Sequence, residues 1–133
     1  MFSFLKYKKF TFGDQAVSQF ILFECKFLFS IIFYYFHESE GFQDRFHDHA
    51  FNAISLKIFG EYEEHILSND KNTYIIKKRT EIFKYFPKNV FHRISKSNGC
   101  LTLLFSGPWD FSWKEYKNGI ITKYTSGRII LNN

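Results

Sequence analysis

Three histidines carry the chemistry that this sequence offers most directly. His47 and His49 stand two residues apart in "FHDHAF", and His92 follows in "FHRI". Neutral imidazole is a good ligand for divalent transition metals. Three imidazoles converging on one point would suit Fe, Zn, Ni, Cu or Mn and leave other coordination positions for water or substrate. A histidine pair also has a plainer use, as a hydrogen-bonded couple on a half-buried surface. Two same-face histidines fit either use about equally, so the elements that must position them come next.

Residues 46–59 read as one strand. On it His47, His49, Phe51, Ala53 and Ser55 share a face, while Ile54, Leu56 and Ile58 share the other. Asp48 then points away from the histidines, and a triad of the form His-x-Asp plus a distant His is not what this segment offers.

The rest of the chain supports a strand reading. Aromatic residues make up 22% of the 133 positions, 19 of them Phe, which gives apolar bulk for an interior with some to spare for a pocket or a partner, a second copy of the chain included. The run "FILFECKFLFSIIFYYF" has apolar residues at every odd position from Ile21 to Tyr35, while its even positions include Glu24, Lys26, Ser30 and Tyr34. Period two means strand, and Glu24 and Lys26 mark a turn or edge within two successive strands rather than a membrane span. Turn signals recur in "FGDQ", "HESEGFQD", "LSNDKN", "FPKN", "SKSNG", "SGPWD", "YKNG" and "TSGR". Many short strands with frequent turns predict an all-β sandwich or barrel. One helical turn is expected around "GDQAVSQF".

Length predicts a single domain over residues 1–133. The net charge of +5 invites a nucleic-acid reading. However, the cations are spread among acidic residues rather than clustered, so nucleic acid is not the expected partner. Cys25 and Cys100 form no CxxC pair and read as buried free thiols. The N-terminal segment lacks the apolar core and small-residue cleavage site of a signal peptide, which makes a cytoplasmic, non-membrane protein the expectation.

The string "RFHDHAFNAISLKIFGEYEE", then "FPKNVFHRI", then "LTLLFSGPWDFSWKEY" resembles the small single-domain cupins of bacteria and their viruses. Their pattern runs His-Asp-His, Gly-Tyr-x-Glu, His-Arg-Ile, then Thr-Leu and a Gly-Pro before a Trp-containing strand. The likeness covers roughly residues 20 to 116. His47, His49 and Gly60 match the first cupin motif, and Pro87, Asn89 and His92 match the second. Asn89 replaces a glycine, which is tolerable because Asn adopts positive φ more readily than other side chains do.

The resemblance implies a double-stranded β-helix, a jelly roll with a small pocket, with His92 facing the interior beside His47 and His49 as metal ligands. It implies an interior packed by Phe27, Phe29, Ile31, Phe33, Leu101 and Leu103. The glutamate that cupins usually place four residues after the second histidine is here Ala53, and Ala50 and Phe51 stand where the pattern has Pro-Trp. Glu64 of "GEYEE" is instead the inward carboxylate, the candidate general base or extra ligand; antiparallel pairing about the "FGE" turn would set it near Leu56. Arg45, Trp113 and Tyr116 are the candidate substrate-binding residues. His65 and Arg93 should face outward. The implied function is a metal-dependent enzyme of small molecules, an oxygenase in the first instance. The alternative is a non-catalytic module binding a small ligand or a protein, with structural metal or none.

Overall fold

The computed structural model describes residues 2–12, 15–41, 45–110, 112–125 and 130–131. Within them the regular elements are all strands: β1 (Phe2–Phe12), β2 (Gln15–Cys25), β3 (Phe29–Phe36), β4 (Phe46–His47), β5 (Ala53–Phe59), β6 (Tyr62–Leu67), β7 (Tyr74–Lys78), β8 (Phe83–Phe86), β9 (His92–Ser97), β10 (Cys100–Ser106), β11 (Ser112–Lys117), β12 (Ile120–Thr125) and β13 (Ile130–Leu131). Gln15 to Phe20 belong to β2, so the helical turn expected there is a strand. The alternation of Val17, Gln19 and Ile21 with Ser18 and Phe20 suits a two-sided pleat better than a helix face. Gly13 and Asp14 lie outside the described residues, as do Phe42 to Asp44 and most of "TSGR".

Two antiparallel sheets face one another. Their strand orders are β1-β2-β3-β10-β5-β8 and β13-β12-β11-β4-β9-β6-β7. From β4 onward the chain passes repeatedly from one sheet to the other, which is the winding of a jelly roll.

Residues 46–59 are therefore two strands rather than one. β4 pairs in the seven-stranded sheet and β5 in the six-stranded sheet, with a five-residue crossing between them. Gly60 likewise joins β5 to β6 across the two sheets instead of making a hairpin, so Glu64 pairs with Ile94 and Lys77 and not with Leu56. The crossing at Gly60 is tight. Its φ is +81°, and a Cβ there would lie 2.1 Å from the carbonyl oxygen of Gly99, so only glycine fits.

The interior is lined by the face opposite to the expected one. Phe27 and Phe29 are exposed, and Ile31, Phe33, Leu101 and Leu103 are half-buried on the outside of the six-stranded sheet. Ser30, Ile32, Thr102, Leu104 and Ser106 are the buried members of the same strands. Both faces of these strands are rich in apolar residues, so hydrophobicity alone selects the bulkier one. A cavity between sheets, by contrast, needs small and polar side chains mixed with apolar ones. Phe51, Ala53 and Leu104 pack together with Tyr34, Phe86 and Trp109 beside the histidines. Cys25 and Cys100 are buried free thiols.

Candidate metal centre

β4 is only two residues long, yet it places the first of the three histidines. His47 pairs directly with His92 of β9 on one side and with Glu115 of β11 on the other. Cross-strand partners share a face, so the three side chains form one inward row. Asp48 clamps the next step. Its amide donates to the Lys114 carbonyl at 3.0 Å, and its Oδ1 accepts from the Lys114 amide at 2.6 Å. Burial raises the Asp48 pKa, partly offset by that amide bond and by the charge of Lys114. Held in this way, the chain leaves β4 with His49 aimed back into the interior.

The three rings form a triangle. Their centroids are 5.3 Å apart for His47 and His49, 4.7 Å for His47 and His92, and 4.8 Å for His49 and His92. One nitrogen from each ring lies within 4.8 Å of the other two, and among the described residues this is a grouping that can hold a metal ion. Nitrogens bound to one ion at ~2.0–2.1 Å stand roughly 3 Å apart, so small ring rotations would close the set. The donor chemistry fits a first-row divalent ion. The His49 pKa is lowered to about 3, first by burial and then by the neighbouring His92, against the opposing effect of Glu64. His49 is therefore neutral and a competent ligand at neutral pH.

Glu64 stands behind this triangle. Its Oε2 accepts from His92 Nδ1 at 2.9 Å, and its Oε1 pairs with Lys84 Nζ. Burial would raise the Glu64 pKa, but the hydrogen bond from His92 and then the neighbouring Lys84 outweigh it and hold the carboxyl at about 2. With the Nδ1 proton committed to Glu64, His92 presents the Nε2 lone pair, which faces His49 Nε2 at 2.7 Å. Lys84 comes from β8 and Glu64 from β6, so the pair also ties the two sheets together.

The histidines open into a cavity of about 320 Å³. Tyr34, Phe51, Phe86, Trp109 and Trp113 supply aromatic wall, while Lys8, Lys26, Gln19, Glu24 and Glu115 supply polar groups. Lys26 lies over the Trp109 ring at 4.8 Å. Ala53, whose side chain has no ligand atom, also lines the cavity.

Among the candidate residues, His47, His49, His92 and Trp113 line this cavity, and Glu64, Arg45 and Tyr116 do not. Arg45 reaches it through Glu115, which accepts from its Nη1 at 3.3 Å. Tyr116 is three residues from Trp113 and so falls on the opposite face of β11. There its ring packs near Phe46 and Phe91. His65 is on the outer face as expected, though buried, with its Nδ1 accepting from Arg93 Nε at 2.8 Å. Sequence reading missed Glu115 and Lys84. Glu115 had a signal, since it stands two residues from Trp113 and must share its face. Lys84 had none, because its partner is set by the stacking of one sheet on the other.

No protein-family model and no curated protein matches the chain. Solved structures do. Oxalate decarboxylase from Bacillus subtilis at pH 4.6 superposes with a TM-score of 0.55 at 16% identity, covering 82% of this chain and 29% of that one. The same enzyme, studied for its Mn(II) centres, gives 0.56 at 17% identity over 84% of this chain and 30% of that one. A deletion mutant of it gives 0.57 at 16% identity over 89% and 32%. This chain thus spans about a third of the length of the structures it matches. The likeness establishes the fold, the double-stranded β-helix of the cupins.

Proposed function

We propose that the protein is a metal-dependent enzyme acting on a small molecule in the barrel cavity, with His47, His49 and His92 as ligands and an oxygenase-type reaction. The observation that carries this reading is the convergence of three imidazoles on the wall of an aromatic cavity where Ala53 provides no fourth ligand. A bound divalent ion would supply Lewis acidity and, if redox-active, electrons for dioxygen chemistry. The chain's own contributions are separate from that. Glu64 fixes the tautomer and orientation of His92 and keeps Nε2 directed at the other two rings. Glu115, buried at the cavity wall beside His47, is the carboxylate placed to accept or return a proton on a bound ligand, and Arg45 holds it. Trp109 and Trp113 exclude water and select for a flat or compact apolar body.

The lining carries Lys8 and Lys26 together with the carboxylates of Glu24, Asp48 and Glu115, and the two lysines are the groups that would pair with an acidic group of the substrate. The neighbouring structures are of an enzyme named for oxalate, so small carboxylic acids head the substrate screen, followed by amino acids, thiols, sugars and 2-oxo acids. The test is metal analysis of the purified protein, then oxygen-uptake measurements on the iron- and manganese-loaded forms. A second reading has its own observation. His49 Nε2 and His92 Nε2 already satisfy each other at 2.7 Å, which a metal-free binding module would also show. Failure to retain metal or to bind it tightly on titration would favour that module.

A further inference from the structure

The outer face of the six-stranded sheet differs in kind from the rest of the surface. Strand register sets its side chains in rows that run across the sheet. One row is Phe4, Phe23, Ile31, Phe105, Ile54 and Tyr85, from β1 to β8. The next is Phe20, Phe33, Leu103, Leu56 and Phe83, from β2 to β8. A shorter third row holds Tyr35, Leu101 and Phe59. No charged residue stands in the first two rows, and the third runs on from Tyr35 through Ser18 to Lys9 at the β1 edge. Phe20, Ile54, Phe59, Phe83, Tyr85 and Phe105 are between 41% and 69% exposed. The inward side of the same strands carries Ser30, Ser55, Thr102 and Ser106, so the sheet is more apolar outside than in. The other sheet has the ordinary arrangement, with Glu63 set between Lys78 and Lys96, and His65 beside Arg93, on its outer side.

We propose that this face is the interface of a homodimer, in which two copies pack their six-stranded sheets face to face about a two-fold axis. Size is the first reason. Six strands spaced ~4.8 Å apart, with three rows of large side chains, give a flat footprint on the order of 500 Å². Side-chain relief enlarges this toward the ~800 Å² per partner of a stable interface, and it already exceeds the ~400 Å² tolerated on the surface of a soluble monomer. Charge is the second reason. Each chain carries a net +5, and two copies approach most closely through a surface poor in cations; the two long rows hold none, and Lys9 lies at the β1 edge, where the third row ends. An anionic membrane surface or an acidic partner would instead need cations within the patch. Geometry is the third reason. Two sheets of the same twist pack well at about 30°, and a two-fold axis makes one surface serve both sides. The cavity opens between the sheets, so this interface leaves the histidine site accessible in both copies.

Sedimentation equilibrium of the full chain tests this, from nanomolar to high micromolar concentration. The expected mass is twice the 16.0 kDa of one chain. Ile54→Lys and Phe105→Lys, both at positions half-exposed in the single chain, should each return the mass to that of one chain while the β-type circular dichroism is retained. Ile75→Lys, exposed on β7 of the other sheet, should leave the dimer intact. If either variant fails to fold, Tyr85→Lys on β8 at the edge of the face takes its place with the same expected result. A monomeric parent chain at all concentrations would overturn the proposal, as would a dimer that persists in the Ile54 and Phe105 variants. A monomer that co-floats with phosphatidylcholine vesicles would also overturn it and assign the face to lipid.

Discussion

His92 Nδ1 donates to Glu64 Oε2 at 2.9 Å, and the same carboxylate is held from its other oxygen by Lys84. One carboxylate thus fixes the ring that joins the histidine triangle to the opposite sheet. Glu64→Gln keeps the shape but lets either amide atom face the ring, so the tautomer of His92 is no longer enforced. Metal affinity is expected to fall by roughly 10–100-fold rather than to vanish. Competitive titration with a chelator reads this directly.

The three proposed ligands should behave differently. His47→Ala, His49→Ala and His92→Ala each remove one nitrogen of the triangle, and each should abolish stoichiometric metal retention on purification. His65→Ala should leave metal content unchanged, because that ring sits on the outer face against Tyr74 and Arg93. Elemental analysis of the four variants side by side separates a shared centre from unrelated histidines.

Acid stability should report Glu64. Its carboxyl is held at about 2, below its ordinary value of 4.5. A carboxylate with a depressed pKa stabilises the fold fully above its ordinary value, and the contribution is lost as the pH falls from about 4.5 toward 2. The Tm of the metal-free parent should therefore drop through that window, and Glu64→Gln should show a shallower drop there. Equal slopes in the two proteins would mean that other groups govern acid unfolding.

Gly60→Ala tests the crossing between the sheets. The added Cβ would meet the Gly99 carbonyl at 2.1 Å in a residue whose φ is +81°. The expected loss is about 2 kcal/mol or more, seen as a lower denaturation midpoint. Gly119→Ala is the comparison, since its Cβ would meet nothing within 4 Å and only its positive φ opposes the change.

Arg79 offers a test away from the site. It is fully buried, and its guanidinium donates to the carbonyls of Ser55, Glu81 and Ile82, to Ser55 Oγ and to the Tyr62 hydroxyl. Arg79→Ala would strand these acceptors, at a cost of about 3 kcal/mol or more. Chemical denaturation at neutral pH gives the number.

Much of this was legible along the chain, because strand periodicity is local. Period two put His65 opposite Glu64 and Arg93 opposite His92, and a positive φ at Asn89, here +70°, follows from the turn it must make; His49 joins His47 for another reason, since β4 ends at His47 and the Asp48 clamp aims the next histidine inward. The all-β fold follows from aromatic and β-branched segments cut by turn residues. What the sequence by itself could not determine was set by how the sheets stack. Both faces of β3 and β10 are apolar, so only the second sheet decides that Ile32 and Leu104 are inside and Phe33 and Leu103 outside. Glu64 reached His92 rather than Leu56 because Gly60 is a crossing between sheets, a choice made by long-range pairing and not by the turn residues. Lys84 and Glu115 entered the site through partners 20 and 68 positions away. Contacts of that range depend on register and layer packing, which only the folded chain defines.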